Sequence, residues 1–506
     1  MAVTEILASA QIGFPLLSCL IVLPLAGAAL VALAGRGGAA PPIAVAVGLA
    51  QLLLSLLLMT SFRDDTAALQ FVERLGFVHL GVDGLSVLFV PLTALLGLLA
   101  LLAPRPQADP ASACGYLAAL LAFQACMVGA FVAADSLLFT AFFAAEVIPS
   151  WYLIAHHGSG RERASAATQY VMVMLVASAA VAAGLVLAGG GSMAPIAQLA
   201  AQPLAPAAQT LPFLLLLLGL GIKAPLFPLH AWMPRVLEQG PMVGMSVFLV
   251  GVKLGGYGML RLLLPVTPDA AAEWMPLAIG LAVCSMVYGA LLAFVQTDLR
   301  RMLAFASISH IGVIMLGLFS LNTAGMQGAL LQMASLGLTG AGLFLLAGFI
   351  ETRMGNHAAA AGGLGQAAPW LAGAFLIIGL AGVGMPGTSG FNGEHLVMMG
   401  ALKVHWMMAL AVGLGTVLTA AYFLRYYQRA FMRDHTDGAS PARAIADLGA
   451  SERLITLAIG AVVIWIGVYT TPFLRAVTPS IRAVETRLAQ AARPAVAQAS
   501  TAAPTR

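Results

Sequence analysis

Apolar stretches long enough to cross a bilayer follow one another along almost the whole chain, and this feature restricts the possible folds more than any other. A transmembrane helix needs about 20 mostly apolar residues. The 506 residues are 60% hydrophobic and only 9% charged, which is atypical of soluble domains. The ten-residue alternation of a membrane β-barrel is absent, so helices are expected. Fourteen spans are predicted, at 14–34, 42–62, 83–103, 112–133, 135–155, 166–188, 211–231, 242–264, 275–295, 302–320, 325–350, 368–402, 405–427 and 454–474.

Basic residues are divided unevenly between the two sets of loops that fourteen spans create. One set holds thirteen arginines, whereas the other holds only four Lys or Arg, with five more after the last span. The positive-inside rule places the arginine-rich loops in the cytoplasm and both termini outside, in the periplasm. No cluster belongs to a soluble domain, which argues against nucleic-acid binding. The thirteen are Arg36, Arg105, Arg161, Arg163, Arg235, Arg300, Arg301, Arg353, Arg425, Arg429, Arg433, Arg443 and Arg453.

Cofactor motifs are missing from the sequence. The four cysteines lie apart in apolar stretches, with no CxxC pair or Cys/His spacing typical of zinc or iron–sulfur sites. There is no GxGxxG dinucleotide loop and no P-loop. We therefore predict that this chain binds no metal, nucleotide or redox cofactor of its own.

Four charged residues fall inside the apolar stretches, where an ionisable group costs a few kcal/mol. They are Glu146, Lys223, Lys253 and Glu394. Such groups mark an ion pathway by default, and the alternative is that they only hold helices together. With His230 and His310 in or beside spans, the number of groups favours a pathway. His310 suits a proton relay because histidine titrates nearest neutral pH.

Two of the predicted spans are interrupted next to a charged residue. Pro225 and Pro228 follow Lys223, and a Gly/Pro-rich stretch at 384–390 precedes Glu394. Broken helices at membrane depth are tolerated only beside protein or water. Paired interruptions indicate an internal repeat with its site at the midplane, here spans 4–8 and 9–13. We also predict that Glu146 and Lys223 form an ion pair, because each is otherwise uncompensated in the same half.

Several long segments carry recognisable motifs. They are FVHLGVDGLSVLFVPLT (77–93), AFFAAEVIPSWYLI (141–154), FPLHAWMPR (227–235), KLGGYGMLR (253–261), YGALLAFVQTDLRRMLAFASISHIG (288–312) and GMPGTSGFNGE (384–394). With these segments in this order, the chain resembles the antiporter-like subunits of respiratory complex I, most closely the subunit M (chain 4) type. The resemblance extends from about Phe71 to about Ala430.

The resemblance implies a fold and a function. The fold is an all-α integral membrane protein of about fourteen helices, with two inverted five-helix repeats that each contain a discontinuous helix. The function is proton translocation along a polar axis, coupled to quinone reduction in partner subunits that also handle NADH. A glutamate in the second broken helix favours subunit M over its sister subunits. The residues of the axis are Glu146, Lys223, Lys253, His310 and Glu394.

The chain departs from the family pattern at two places. The family usually reads H-x-E-A-P-T-A-G-S after the seventh span, where this chain has VLEQGPMVGMS at 236–246. A histidine commonly follows QM-x-x in the eleventh span, and Leu336 stands at that place here. Water near Ser335 or Thr339 could replace this histidine, or the channel could be weakened.

The sequence therefore predicts a proton-translocating subunit of an NADH–quinone oxidoreductase in the cell inner membrane, with lipid, protons and other membrane subunits as partners. The alternatives are the same fold in a membrane-bound hydrogenase, a cation/proton antiporter or an inorganic-carbon uptake complex, and a non-pumping structural subunit. The predicted segments are an N-terminal part (1–111), two repeats (112–264 and 265–430), and a cytoplasmic loop, last span and tail (431–506).

Overall fold

The fold is known from a computed structural model that describes residues 4–34, 38–76, 78–104, 110–354, 362–433 and 445–501. Three of the thirteen loop arginines, Arg36, Arg105 and Arg443, lie outside these residues. Within the described part, twelve helices are long and apolar enough to cross a membrane, which confirms a multi-pass, mostly helical membrane protein. Two further apolar helices are shorter, at Phe89–Leu102 and Pro369–Val383. The number of fourteen spans and the inverted repeat stay predictions.

The first third of the described chain combines three helices long enough to span a membrane, one shorter apolar helix and a short N-terminal helix with a small sheet. Its strands are β1 (Glu5–Leu7), β2 (Leu69–Leu75) and β3 (Val78–Val82). Its helices are α1 (Ala8–Gln11), α2 (Leu16–Leu33), α3 (Ala40–Ser61), α4 (Phe89–Leu102) and α5 (Pro110–Val132).

The sheet is an addition to the predicted all-α fold. Strand β1 pairs in parallel with β2, and β2 pairs antiparallel with β3 in a hairpin whose register includes Arg74 opposite His79. The segment from Leu69 to Val82 is rich in β-branched and aromatic residues, and Gly76 at φ +61° supplies the left-handed turn. The segment is too short for a span, so its tendency to form strands prevails.

The middle of the chain contains the first broken helix. Helix α10 ends at Lys223 and α11 begins at Trp232, so Pro225 and Pro228 lie in the interruption, as predicted. Helix α12 continues through a π-helical turn at Met259–Leu263. The helices are α6 (Ser136–Ala145), α7 (Val147–His157), α8 (Arg163–Ala188), α9 (Ile196–Ala201), α10 (Pro206–Lys223), α11 (Trp232–Gln239), α12 (Met242–Gly258), α13 (Leu264–Val266) and α14 (Pro268–Glu273).

The last part contains the second broken helix. Helix α19 ends at Val383 and α20 begins at Ser389, again as predicted from the Gly/Pro-rich stretch. Gly384 and Gly387 between them adopt φ +88° and +86°. The helices are α15 (Met275–Val295), α16 (Leu299–Leu318), α17 (Thr323–Met354), α18 (Leu364–Ala367), α19 (Pro369–Val383), α20 (Ser389–Val404), α21 (Trp406–Tyr427, followed by a π-helical turn at Gln428–Met432), α22 (Ala450–Val468) and α23 (Thr471–Thr501).

Helices α12 and α17 form the centre of the bundle. In the most apolar stretches of these two spans, 94% and 89% of the residues are buried, the highest shares among the described spans. Small residues allow this packing: a Cβ at Gly255 of α12 would lie 2.6 Å from the carbonyl of Leu220 and from the amide of Ala224. Helix α12 therefore packs directly against the end of α10, where the first break begins.

The C-terminal helix α23 joins distant parts of the chain at the end of the bundle that carries the sheet. Ser480 Oγ accepts a hydrogen bond of 3.0 Å from the Gly84 amide, just after β3. Glu485 accepts one of 3.0 Å from the amide of Thr323 at the start of α17. Strand β1 and helix α23 thus lie at the same end of the molecule. The segment boundaries predicted from the sequence stay predictions.

Candidate functional site

The ion pair predicted between Glu146 and Lys223 is present. Their side chains are 0% and 1% exposed, and Lys223 Nζ donates a hydrogen bond to Oε1 of Glu146. Breaking such a pair would leave a buried charge without a partner, which is far more costly than losing a surface contact. The two residues therefore act as one unit.

Aromatic and hydroxyl groups complete the surroundings of this pair. Tyr170 OH on α8 donates to Glu146 Oε1 at 2.9 Å, and Ser150 Oγ donates to Oε2 at 3.0 Å. Lys223 Nζ lies 5.7 Å from the ring centre of Phe143 and 5.9 Å from that of Tyr170. Both carboxylate oxygens thus accept hydrogen bonds, and the ammonium faces π-electron density that favours a cation.

The first helix break determines where Lys223 lies. It is the last residue of α10, where the free backbone carbonyls favour a positive charge. The carbonyl of Ile222 accepts a hydrogen bond of 2.9 Å from Trp232 Nε1, and the amide of Phe227 donates to Ser285 Oγ at 2.7 Å. The interrupted backbone is thus satisfied inside the protein, as irregular structure at membrane depth requires.

Lys253 lies on α12, two residues before the close contact of Gly255 with the first break. Its side chain is buried, and no carboxylate of the described residues lies within ion-pair distance of it. It lines a cavity of about 40 Å³ together with His310 of α16. A buried water needs at least about 10–15 Å³ and two to four polar partners, so the cavity has room for water between Lys253 and His310.

Helix α21 contributes hydroxyl groups on the far side of this cavity. Tyr422 OH lies 3.3 Å from His310 Nε2, and both residues line the cavity, as does Thr419. One turn earlier, Thr416 Oγ1 donates a hydrogen bond to Oε1 of Glu394. Residues 416, 419 and 422 recur every three positions, so they occupy one face of the helix. This face contacts both His310 and Glu394.

Glu394 lies in α20, six positions into the helix after the second break. Its Oε2 approaches Gly384 so closely that a Cβ there would overlap with it. Gly384 also adopts φ +88°, which side chains other than glycine rarely tolerate. The second break therefore requires glycine both for its backbone angle and for the space that the carboxylate occupies.

The cavity wall is partly apolar at position 336, where the family commonly has a histidine. Leu336 lines the 40 Å³ cavity, next to Thr339. Ser335 instead hydrogen-bonds to Ser389 Oγ at 2.7 Å, and Thr339 Oγ1 donates to the carbonyl of Ser335 at 3.0 Å. Thr339 can still accept a hydrogen bond at the cavity wall. Hydration of this gap stays a prediction.

Comparison with known proteins reveals the family. The family model described as NADH:quinone oxidoreductase/Mrp antiporter, TM, matches residues 133–419. That range contains all five predicted axis residues. The chain belongs to this family.

Relatives and solved structures agree with the assignment. The NADH-quinone oxidoreductase subunit M of Rhodobacter capsulatus is 34% identical over 92% of this chain and 95% of its own length. A chain of respiratory complex I from Thermus thermophilus with bound NADH superposes with a TM-score of 0.83 at 32% identity, over 93% of this chain and 99% of that chain. A chain of the Mrp complex from Dietzia sp. shares the fold, with a TM-score of 0.82 at 23% identity over 94% and 99%.

Sequence reasoning missed several polar residues in this member of the NADH:quinone oxidoreductase/Mrp antiporter family. Tyr170, Thr416 and Tyr422 contact the predicted axis, but each is an uncharged residue in a mostly apolar segment. The spacing of Thr416, Thr419 and Tyr422 was the one available signal. Hydroxyl groups are common in membrane helices, so this spacing alone does not distinguish the site.

The buried position of Arg300 was also not predicted, because the sequence places this residue in an arginine-rich loop. In the structure it lies in the first turn of α16 and is only 3% exposed. Its guanidinium donates to the carbonyls of Glu238 and Gly240 at 2.5 and 3.1 Å. It also donates to Ser159 Oγ at 2.6 Å and to Glu351. Arg300 thus joins the end of α11 to α16 and α17.

Proposed function

We propose that this chain is the subunit M of an NADH–quinone oxidoreductase of the complex I type and translocates protons. The observation that carries the proposal is the buried Glu146–Lys223 pair at the first helix break, followed by Lys253, the cavity, His310 and Glu394. Ionisable groups at this depth are expensive unless they serve transport or pairing. Pairing accounts for the burial of Glu146 and Lys223. It does not account for the other three residues of the axis, Lys253, His310 and Glu394.

The partner subunits supply the redox chemistry in this proposal. A relative that matches over almost its whole length is named NADH-quinone oxidoreductase subunit M, and one structural neighbour belongs to a complex with bound NADH. NADH and quinone bind to other subunits in this proposal, and this chain receives energy from them as a change in charge at its boundary.

The first proton step uses the ion pair as a switch. While Glu146 accepts the hydrogen bond of Lys223, the ammonium is stabilised in its buried position. Separation of the two charges leaves the ammonium without a counter-ion in a low dielectric, which favours transfer of its proton to a neighbouring acceptor. Helix α12 contacts the end of α10 at Gly255. In this proposal Lys253 of α12 is therefore the next residue that accepts the proton.

The second step crosses the cavity. Lys253 and His310 share its wall, and water there can link them by hydrogen bonds. Tyr422 contacts His310, and Thr416 on the same helix face contacts Glu394. A proton can thus pass from His310 toward Glu394 along hydroxyls and water, and Glu394 can release it on the other side.

The orientation in the membrane is part of the proposal. Predicted loop arginines favour an inner-membrane protein with both termini in the periplasm. Strand β1 and helix α23 lie at one end of the bundle, which is consistent with this arrangement. A cysteine at the exposed Arg482, in a background lacking the native cysteines, should react with a membrane-impermeant maleimide from the periplasm. Labelling only from the cytoplasm would reverse the orientation.

The test of transport is a comparison of variants in the reconstituted complex. Lys223→Ala and Glu394→Ala should abolish or sharply reduce proton uptake into vesicles while assembly is retained. The matched control is Lys403→Ala, which removes an exposed charge from the same helix as Glu394. Unchanged proton uptake in both variants would favour the structural role. Identification of the copurified subunits separates an NADH–quinone oxidoreductase from a hydrogenase or antiporter assembly.

A further inference from the structure

A charged cavity lies away from the predicted axis, at the end of the bundle that carries the sheet. It measures about 90 Å³ and is bounded by the β2–β3 hairpin, by α9, by the π-helical end of α12 and by α23. Among its lining residues are His79, Asp83, Arg261 and Arg487. None of these residues takes part in the proposed proton pathway.

One ion pair accounts for part of this charge. Arg261 Nη1 donates a hydrogen bond to Oδ2 of Asp83, and the two side chains are 13% and 10% exposed. Arg261 Nε is buried and has no hydrogen-bond partner in the described structure. The single carboxylate of Asp83 therefore satisfies only part of the donor capacity of this guanidinium, which has five N–H groups.

The second guanidinium, that of Arg487, has no counter-ion in the part of the chain that the structure describes. No described residue accepts a hydrogen bond from Arg487 or pairs with it. Burial, followed by the nearby charge of Arg261, lowers the pKa of Arg487 below its ordinary value. Two guanidinium groups and a single carboxylate line the cavity, so one positive charge is not balanced there, and a bound anion would reduce the repulsion between the two guanidinium groups.

His79 adds a further donor. Its Nε2 is buried without a hydrogen bond, although Glu5 Oε1 lies 3.5 Å away. Burial is the main reason that the pKa of His79 is lowered, and Arg74 lowers it further, while Glu5 and Asp135 act in the opposite direction. His79 is therefore neutral near pH 7, where it can donate one hydrogen bond without adding charge.

We propose that this cavity binds an oxyanion of the phosphate class. Arg261 and Arg487 outnumber Asp83 by one charge, and phosphate oxygens suit the planar fork of a guanidinium. The cavity accommodates a tetrahedral oxyanion but not a folded protein segment. Both inorganic phosphate and the phosphodiester of a lipid headgroup have this chemistry. Helix α23 would then be anchored to the sheet through the anion as well as through Ser480.

The experiment measures the thermal unfolding of the purified, delipidated whole complex in phosphate-free buffer. One arm adds inorganic phosphate, a second adds phosphatidylglycerol in mixed micelles, and a third adds diacylglycerol, which lacks the phosphate. Stabilisation by phosphate or phosphatidylglycerol but not by diacylglycerol is expected. Phosphate alone would identify a free anion, and phosphatidylglycerol alone a lipid headgroup.

Two variants assign the effect to the cavity. Arg487→Gln should weaken the binding by about tenfold or more, since it removes a charge-assisted hydrogen bond. Arg482→Gln on the same helix, which is exposed, should leave the binding unchanged. If Arg487→Gln fails to assemble, Arg487→Lys keeps the charge without the fork and should still weaken the binding. Absence of stabilisation by both inorganic phosphate and phosphatidylglycerol, or equal binding in the Arg482 and Arg487 variants, would overturn the proposal.

Discussion

The hydroxyl of Tyr422 lies 3.3 Å from Nε2 of His310, across the contact between helices α21 and α16. Because Thr416 on the same face of α21 donates to Glu394, this helix connects two residues that are separated in sequence and lie on different helices. Helix α21 therefore belongs to the candidate pathway, although it carries none of the residues predicted from the sequence.

Tyr422→Phe should slow proton translocation without preventing assembly. A hydrogen bond of this kind contributes about 1 kcal/mol, which corresponds to about a fivefold effect on a rate if it is lost in the limiting step. Proton uptake by vesicles containing the reconstituted complex measures it. Tyr427→Phe is the control, because this residue is on the same helix but its hydroxyl donates to the carbonyl of Ala372 on α19, 3.4 Å away, rather than contacting His310. Equal effects of both variants would exclude a specific role of Tyr422.

Glu146→Gln should destabilise the subunit and stop transport. It leaves Lys223 buried without a counter-charge, and breaking a buried pair costs about 3–5 kcal/mol. Gln keeps an oxygen that can accept from Tyr170. Adding Lys223→Met should restore stability, because the uncompensated charge is removed, but should not restore transport. Thermal unfolding and proton uptake measure the two effects, and recovery of transport in the double variant would support the bracing role.

Gly384→Ala should impair the second helix break. Alanine at φ +88° costs about 1–2 kcal/mol in backbone strain, and its Cβ would overlap with the Glu394 carboxylate. The rate of proton translocation should fall more than the amount of assembled complex, since the added Cβ displaces the Glu394 carboxylate. Gly373→Ala is the matched control on the preceding helix, where a Cβ meets no atom within 4 Å. Normal transport in Gly384→Ala would contradict this interpretation.

Arg300→Ala should destabilise the subunit by about 3–5 kcal/mol, because Glu351 and two backbone carbonyls lose a buried charged partner. The neighbouring Arg301→Ala removes an exposed arginine and should change the free energy of unfolding by no more than about 0.5 kcal/mol. The amount of assembled complex and its Tm measure the difference. Similar behaviour of the two variants would show that burial of Arg300 adds no stability.

The sequence by itself determined the class of fold, the two helix breaks and the acid–base pair. These features depend on local properties: the length of apolar runs, the missing amide of proline and the conformational range of glycine. The pairing of Glu146 with Lys223 was predictable because few partners exist for a charge inside a membrane.

Beyond this pair, only the tertiary structure decided which polar residues contact one another. Tyr170, Thr416 and Tyr422 look like ordinary residues of apolar helices, and Arg300 like one of many loop arginines. The sheet and the contacts of α23 with Gly84 and Thr323 also join segments far apart in the chain. The physical reason is that a hydroxyl or guanidinium acquires its role from the neighbours that helix packing brings to it, and helical periodicity fixes the face of a helix but not the helix that packs against it.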